Sequence, residues 1–127
     1  MRGIIIVGQN PGKAVDHPNE SPSLRRLYNW LSILGVKEFK FTNTVNKTGK
    51  VSTSDIDYKK LFTSTEKYGK ILALGNFASA ALSKMGVEHF KLPHPSPLNR
   101  LLNDKNYEQN ILKECKEYLN EDCVYIR

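Results

Sequence analysis

The sequence predicts an α/β fold, a three-layer α/β/α sandwich with a central, mostly parallel sheet of four to five strands. Short apolar runs alternate along the chain with longer segments whose apolar residues recur at helical spacing. The first predicted strand, residues 2–7, contains an uninterrupted apolar run, which is typical of a central parallel strand buried on both faces. Because crossovers between parallel strands place helices on both faces of a sheet, three layers follow.

The next two elements are a helix and a strand. Pro22 lies in the first turn of the helix, Ser21 or Ser23 is the candidate cap, and Gly35 ends it. The apolar face of this helix consists of Leu24, Leu27, Tyr28, Leu31 and Leu34. Residues 38–43 alternate in polarity and carry aromatic side chains, which favours a second strand.

The second half of the chain continues the alternation. The predicted elements are a helix over about 55–67, a strand over 70–75, a helix over 77–85, a strand over 87–92, a helix over about 105–120 and a strand over 123–126. Ser54 and Asn76 are the candidate caps of the first two of these helices, and Gly86 ends the second. The predicted buried face of the last helix consists of Tyr107, Ile111, Leu112, Cys115 and Leu119.

Length and composition indicate one globular domain over residues 1–127. No stretch approaches the ~20 apolar residues of a membrane span, and the first apolar run is too short for a signal peptide. Cys115 and Cys123 do not form a CxxC pair, which argues against zinc or an iron–sulfur cluster and favours two buried small side chains. We therefore expect a cytoplasmic or otherwise intracellular monomer that binds no metal, needs no cofactor and does not enter a membrane.

Three loops follow predicted strands, at residues 8–12, 43–50 and 93–100. In a parallel sheet they emerge at the carboxyl edge, where ligands of open α/β folds bind. Pro93, Pro95 and Pro97 stiffen the last loop, so it can hold the side chains of His94 and Ser96 still.

The chain carries a net charge of +6, and several of its cations lie in or near these loops. Those cations are Lys13, Arg25, Arg26, Lys47, Lys50, Lys91 and Arg100. A basic surface is compatible with a nucleic-acid partner, although many basic proteins bind none. The first loop is not a nucleotide-phosphate loop, because only three residues separate its glycines and Ala14 follows the lysine.

Two short motifs resemble the uracil-DNA glycosylase superfamily: GQNPG at residues 8–12 and HPSPLNR at residues 94–100. Residues 42–47 are similar to the family's base-reading segment, and residues 71–78 to its third strand and the helix after it. The order and spacing agree over about residues 3–100. Asparagine at position 10 is most similar to the mismatch-specific members, whereas members with high activity on uracil carry aspartate there.

The resemblance implies a DNA glycosylase that flips a nucleotide out of the helix and hydrolyses the bond between base and sugar. It implies that His94 donates a hydrogen bond to the leaving base, Asn10 positions the water, and Asn43 reads the edge of the base. It assigns Gln9 and Gly12 to the base pocket. The residues implied to contact DNA are Lys47, Ser96, Pro97, Leu98 and Arg100, with Leu98 as the wedge that fills the space of the flipped base.

Two departures from the family bear on the choice of base. Gly12 stands where efficient uracil enzymes carry a tyrosine that excludes the thymine methyl group, so 5-substituted pyrimidines are candidate substrates. Asn19 stands where many members stack a phenylalanine on the base, and His17 is the candidate replacement. Without a stacking ring, binding could weaken by ~1–3 kcal/mol per base.

Three functions fit these observations. The first is a monofunctional glycosylase acting on uracil or on a mismatched or 5-substituted pyrimidine, in single- or double-stranded DNA. The second is a catalytically degenerate DNA-binding module on the same fold. The presence of Asn10, Gly12 and Asn19 fits a loss of activity as well as it fits a changed specificity. The third is an enzyme that processes free nucleotides or nucleosides in the same pocket.

Overall fold

A computed structural model describes residues 3–11, 22–96 and 98–121. Within these ranges four parallel strands form one sheet in the order β2-β1-β3-β4. The strands are β1 (Ile4–Gly8), β2 (Lys40–Asn43), β3 (Lys70–Leu74) and β4 (Phe90–Leu92). The helices are α1 (Pro22–Leu34), α2 (Tyr58–Thr65), α3 (Gly75–Lys84) and α4 (Lys105–Asn120), with 3₁₀ turns at Thr53–Asp55 and Arg100–Asn103.

The sheet has an apolar core on each face, which confirms the predicted three-layer α/β/α sandwich. One core packs α1 and α4 on residues such as Ile6, Leu72 and Leu92 of the sheet. The other packs α2 and α3 on residues such as Ile5 and Val7. Ile5, Ile6 and Val7 are all buried, so β1 is covered on both faces as the uninterrupted apolar run predicts.

Helix α1 joins α4 through its one tryptophan as well as through its leucines. Trp30 is fully buried, and its Nε1–H donates to a carboxylate oxygen of Glu108 at 2.8 Å. Cys115 of α4 is buried as predicted, and burial raises the pKa of its thiol to about 12. Tyr28 differs from its prediction as a core residue, because about half of it is exposed beside the ring of Phe39.

Both helix caps predicted in the second half of the chain were wrong. Asp57 caps α2, where its side chain accepts from the Lys60 N–H at 3.1 Å, and Ser54 lies in the preceding 3₁₀ turn. Helix α3 begins at Gly75, and the Asn76 side chain accepts from the Lys91 ammonium at 3.0 Å instead of capping the helix.

The fourth strand is shorter than predicted. Residues 87–89 are not in the sheet, because the Val87 N–H donates to Leu82 O and the His89 ring bonds with the Ser79 hydroxyl. The predicted strand at 123–126 and the candidate cap Ser21 lie outside the described residues.

Candidate active site

The first two loops are bonded together directly beyond the ends of their strands. The Thr44 N–H donates to Gly8 O at 2.9 Å, and the Val45 N–H donates to Gln9 O at 3.1 Å. The Thr44 hydroxyl donates to the same Gln9 carbonyl at 2.6 Å. The pairing of β1 with β2 therefore continues past the sheet, so the two loops hold a fixed relative position.

Asn10 is oriented by the backbone of the second loop. Its Nδ2 donates to Lys47 O at 3.0 Å and to Gly49 O at 2.9 Å. Carbonyl oxygens only accept hydrogen bonds, so the atom of the Asn10 amide that faces them must be the donor nitrogen. The two partners therefore determine which way the amide is turned. Both amide hydrogens are used, and Oδ1 is the atom that remains able to accept a hydrogen bond from a ligand or a water.

Lys47 ties the same loop to the 3₁₀ turn before α2. Its ammonium lies 3.2 Å from a carboxylate oxygen of Asp55. The N–H of Ser52 and then the Lys47 ammonium lower the pKa of this carboxyl below its usual value. A DNA phosphate that binds Lys47 would have to displace the Asp55 carboxylate. This costs little, because exposed ion pairs are weak.

Asn43 ends β2 and lies against the end of β1. Its Oδ1 lies 2.8 Å from the position that a Cβ on Gly8 would occupy. Gly8 pairs with Asn43 in the sheet and does not have a positive φ. Gly8 is therefore needed for space, because any side chain at this position would displace the Asn43 amide.

His94 lies in the proline loop against the start of α3. Pro93 and Pro95 on either side of it are buried, which anchors the backbone that carries the ring. On the ring side, His94 Cβ and Cδ2 lie 3.3 and 3.5 Å from the position of a Cβ on Gly75. Gly75 has a φ of +88°, so both its conformation and its contact favour glycine.

Hydrogen bonding fixes the tautomer of His94. The backbone N–H of Ser96 donates to Nδ1 at 3.2 Å, so in the neutral ring the proton lies on Nε2. Desolvation by the surrounding protein lowers the pKa of His94 below its usual 6.5. The lowered pKa favours the neutral ring, which presents Nε2–H as a donor.

The rest of the proline loop is held by its own side chains. Asn99 donates from Nδ2 to His94 O at 3.0 Å and accepts from the Leu101 N–H at 3.2 Å. The Ser96 hydroxyl accepts from the Leu98 N–H at 3.1 Å. The Leu98 side chain is 87% exposed, which is unusual for a large apolar residue on a braced loop.

The structure brings Asn10, Asn43 and His94 to the carboxyl edge of the sheet. Asn43 rests on the end of β1 and His94 on the residue that follows β3, and these two strands are neighbours in the sheet. Neighbouring strands lie ~4.8 Å apart. Gln9 lies half-buried between these positions, with its carbonyl bound by the second loop. The predicted site residues Gly12, His17, Asn19 and Pro97 lie outside the described residues.

The family comparison agrees with the two motifs. A model of the uracil DNA glycosylase superfamily matches residues 2–119, which is almost the whole chain. The chain belongs to the uracil DNA glycosylase superfamily. No curated protein matches the sequence, and no solved structure matches it.

Members of the superfamily are generally DNA glycosylases, hydrolases that act on DNA. Membership therefore agrees with the α/β fold and with the position of the three loops at one edge. None of the helices in the described part of the chain is long and apolar enough to cross a membrane.

Three further residues of this superfamily member help to position the predicted site residues, and sequence reasoning did not select them. They are Gly8, Gly75 and Asn99. Gly8 and Asn99 lie inside the two quoted motifs, so their positions were a usable signal. The contact between Gly75 and His94 joins the start of α3 to the proline loop, and no local sequence pattern indicates it.

A cavity of about 550 Å³ lies at the opposite edge of the sheet, where β3 begins and α4 ends. Lys70, Glu88 and Tyr118 are among its lining residues. None of the described candidate residues lines this cavity, so it is separate from the edge that carries the superfamily motifs.

Proposed function

We propose that this chain is a monofunctional DNA glycosylase that hydrolyses the N-glycosidic bond of uracil, or of a mismatched or 5-substituted pyrimidine, flipped out of DNA. We further propose that it acts inside the cell as a monomer. The observation that carries the proposal is the hydrogen bond from the Ser96 N–H to His94 Nδ1, which leaves Nε2–H as the donor of the neutral ring. A fixed neutral donor suits a leaving base that accumulates negative charge on its oxygen.

In the proposed reaction the bond between the sugar C1′ and the base nitrogen breaks first. Its electron pair leaves with the base, and His94 Nε2–H donates to the oxygen on which the charge develops. Asn10 Oδ1 accepts a hydrogen bond from a water, whose oxygen attacks the cation-like C1′ and whose proton passes to solvent. An amide cannot take up this proton near neutral pH, so the rate lacks the ~10²–10⁴-fold that a general base provides.

Asn43 is proposed to select the base, because an amide offers both a donor and an acceptor to the edge of a pyrimidine. A site that pairs with one edge rejects a base whose groups would leave the amide unpaired. The amide of Asn43 is held over Gly8, so its reach is set by the sheet rather than by a flexible loop.

The residues proposed to contact DNA around the flipped nucleotide are Lys47, Ser96, Pro97, Leu98 and Arg100. Leu98 is the apolar wedge, which its exposure supports. Arg100 is exposed at the start of the second 3₁₀ turn, where it can reach a phosphate.

The test is release of a base from labelled oligonucleotides at stoichiometric enzyme. The substrates are duplexes with uracil opposite guanine, thymine opposite guanine and 5-hydroxymethyluracil, each also as a single strand, and the product is an alkali-labile abasic site. We expect cleavage of at least one substrate. Salt-sensitive binding without abasic product would favour the degenerate DNA-binding module instead, and activity on free deoxyuridine nucleotides alone would favour the third function.

The pH dependence of base release follows from the tautomer of His94. Protonation would place an N–H on Nδ1 against the Ser96 N–H, so the bound ring favours the neutral form. Because the pKa of His94 lies below its usual value, we expect the rate to level off toward neutral pH and to decline as the pH falls through that lowered pKa. Asn10 and Asn43 do not titrate, so single-turnover rates between about pH 5 and pH 9 report this group. A rate that increases with acidity would contradict the neutral-donor role.

Gly8→Ala is expected to lower the single-turnover rate by roughly tenfold, because the new Cβ would lie 2.8 Å from Asn43 Oδ1. A displacement of ~1 Å in a positioned group can cost ~10²-fold in rate, and a smaller shift is needed here. Gly3→Ala is the matched control, since its Cβ would meet only the Tyr68 ring at 3.6 Å. Equal rates for the two variants would contradict the role given to Gly8.

A further inference from the structure

An aromatic ring lies beside the amide that is proposed to read the base. Phe41 precedes Asn43 by two residues on β2, so both side chains are on the same face of the sheet. Phe41 pairs with Ile6 in the register, but its ring extends toward the carboxyl edge. Its Cζ lies 3.1 Å from the position of a Cβ on Gly8, the same position that Asn43 Oδ1 approaches at 2.8 Å.

The exposure of Phe41 is not explained by the core. Phe39, on the same face, packs against the core formed with α1 and α4, and its ring lies 6.4 Å from that of Tyr28. Phe41 keeps 39% of its surface exposed at the edge where the three loops meet. Several other large apolar side chains are exposed to a similar extent, and what sets Phe41 apart is its contact with the Gly8 position beside the Asn43 amide.

We infer that Phe41 forms an apolar wall of the base pocket and holds the flipped pyrimidine while Asn43 reads its edge. This inference rests on the proposed function and deepens it. The pocket needs an apolar surface, because a flipped base loses its stacking neighbours and an aromatic ring can replace part of that contact. Gly8 serves both groups, since its missing side chain leaves room for the ring as well as for the amide.

The ring and the amide would restrict the base in different ways. The amide offers hydrogen bonds and is selective for the edge of the base, whereas the ring offers a face or an edge that every pyrimidine can contact. Loss of the ring should therefore weaken the flipped state of all substrates to a similar extent. Loss of the amide should change the order of preference among them.

The experiment measures binding and flipping on a substrate that cannot be cleaved. A duplex carries 2′-fluoro-2′-deoxyuridine opposite guanine, with 2-aminopurine as the neighbouring base, whose fluorescence increases when the stack opens. The variants are Phe41→Ala, which removes the ring, and Phe41→Leu, which keeps most of its apolar volume. Phe62→Ala is the matched control, because Phe62 is 45% exposed on α2 and lines the cavity at the opposite edge.

We expect Phe41→Ala to weaken binding by about 5- to 150-fold and to reduce the fluorescence increase, Phe41→Leu to have a smaller effect in the same direction, and Phe62→Ala to remain close to the parent protein. Circular dichroism confirms that each variant compared is folded. A folded Phe41→Ala protein that binds and flips like the parent would overturn the inference and leave the proposed function intact. A parent protein that neither opens the duplex nor forms abasic sites would overturn the proposed function, and the inference with it.

Discussion

Replacing His94 with alanine is expected to lower the single-turnover rate of base release by ~10²–10³-fold. The ring is a fixed donor, with the Ser96 N–H on Nδ1 and Gly75 against its side. The loss should appear in the chemical step rather than in DNA binding, because the donor acts mainly on the charge that develops as the bond breaks.

His89→Ala provides the matched control for this variant. The His89 ring bonds with the Ser79 hydroxyl at 2.7 Å and with Val87 O at 2.8 Å, before β4 and away from the proline loop. We expect the control to keep the parent rate, and anisotropy with an uncleavable duplex to show similar binding for all three proteins. A His94→Ala rate within about threefold of the parent would contradict the role of His94, since a lost donor of this kind costs far more.

The fold was predictable because its signals are local. The uninterrupted apolar run before Gly8 predicts a strand buried on both faces, and Ile5 and Ile6 are buried against different helices. Parallel pairing then predicts that the loops after β1, β2 and β4 lie at one edge. The predicted cap of α2 was wrong for a local reason, since Ser54 and Asp57 are both good capping residues and the sequence alone does not distinguish them.

The finer geometry of the site was not predictable because it depends on backbone atoms of distant residues. Asn10 is held by the carbonyls of Lys47 and Gly49, and every residue type provides a carbonyl. The order of strands likewise leaves no local pattern, so the approach of Phe41 to Gly8 could not be read from residues 38–43. What the motifs provided was the identity of the chemical groups, and what the structure adds is their orientation.

The contacts of Asn10 make an unexpected prediction for Asn10→Asp. Relatives with high activity on uracil carry aspartate at this position, so the resemblance alone predicts a gain of ~10²–10⁴-fold from a general base. The structure predicts a loss, because a carboxylate oxygen would replace Nδ2 at about 3 Å from Lys47 O and Gly49 O. Both carbonyls would lose their donor and face a negative charge, so the loop would move and carry the water site with it.

We expect Asn10→Asp to lower the single-turnover rate by roughly tenfold at pH 8 and to lower the free energy of unfolding by ~1–3 kcal/mol. The carbonyls raise the pKa of the new carboxyl in the folded state. The pH-dependent part of the stability deficit is therefore absent below the unfolded pKa of ~3.9, where the neutral acid still donates to one of the two carbonyls, and it is complete once the pH has risen through the raised folded pKa.

Urea unfolding at several pH values and single-turnover kinetics measure both effects. Asn46→Asp, an exposed position in the same loop, adds the same charge without changing the contacts of Asn10. If Asn10→Asp were faster than the parent while Asn46→Asp was not, the two carbonyls would not be what holds position 10. The rate of the parent protein would then be limited by the lack of a general base rather than by the position of the attacking water.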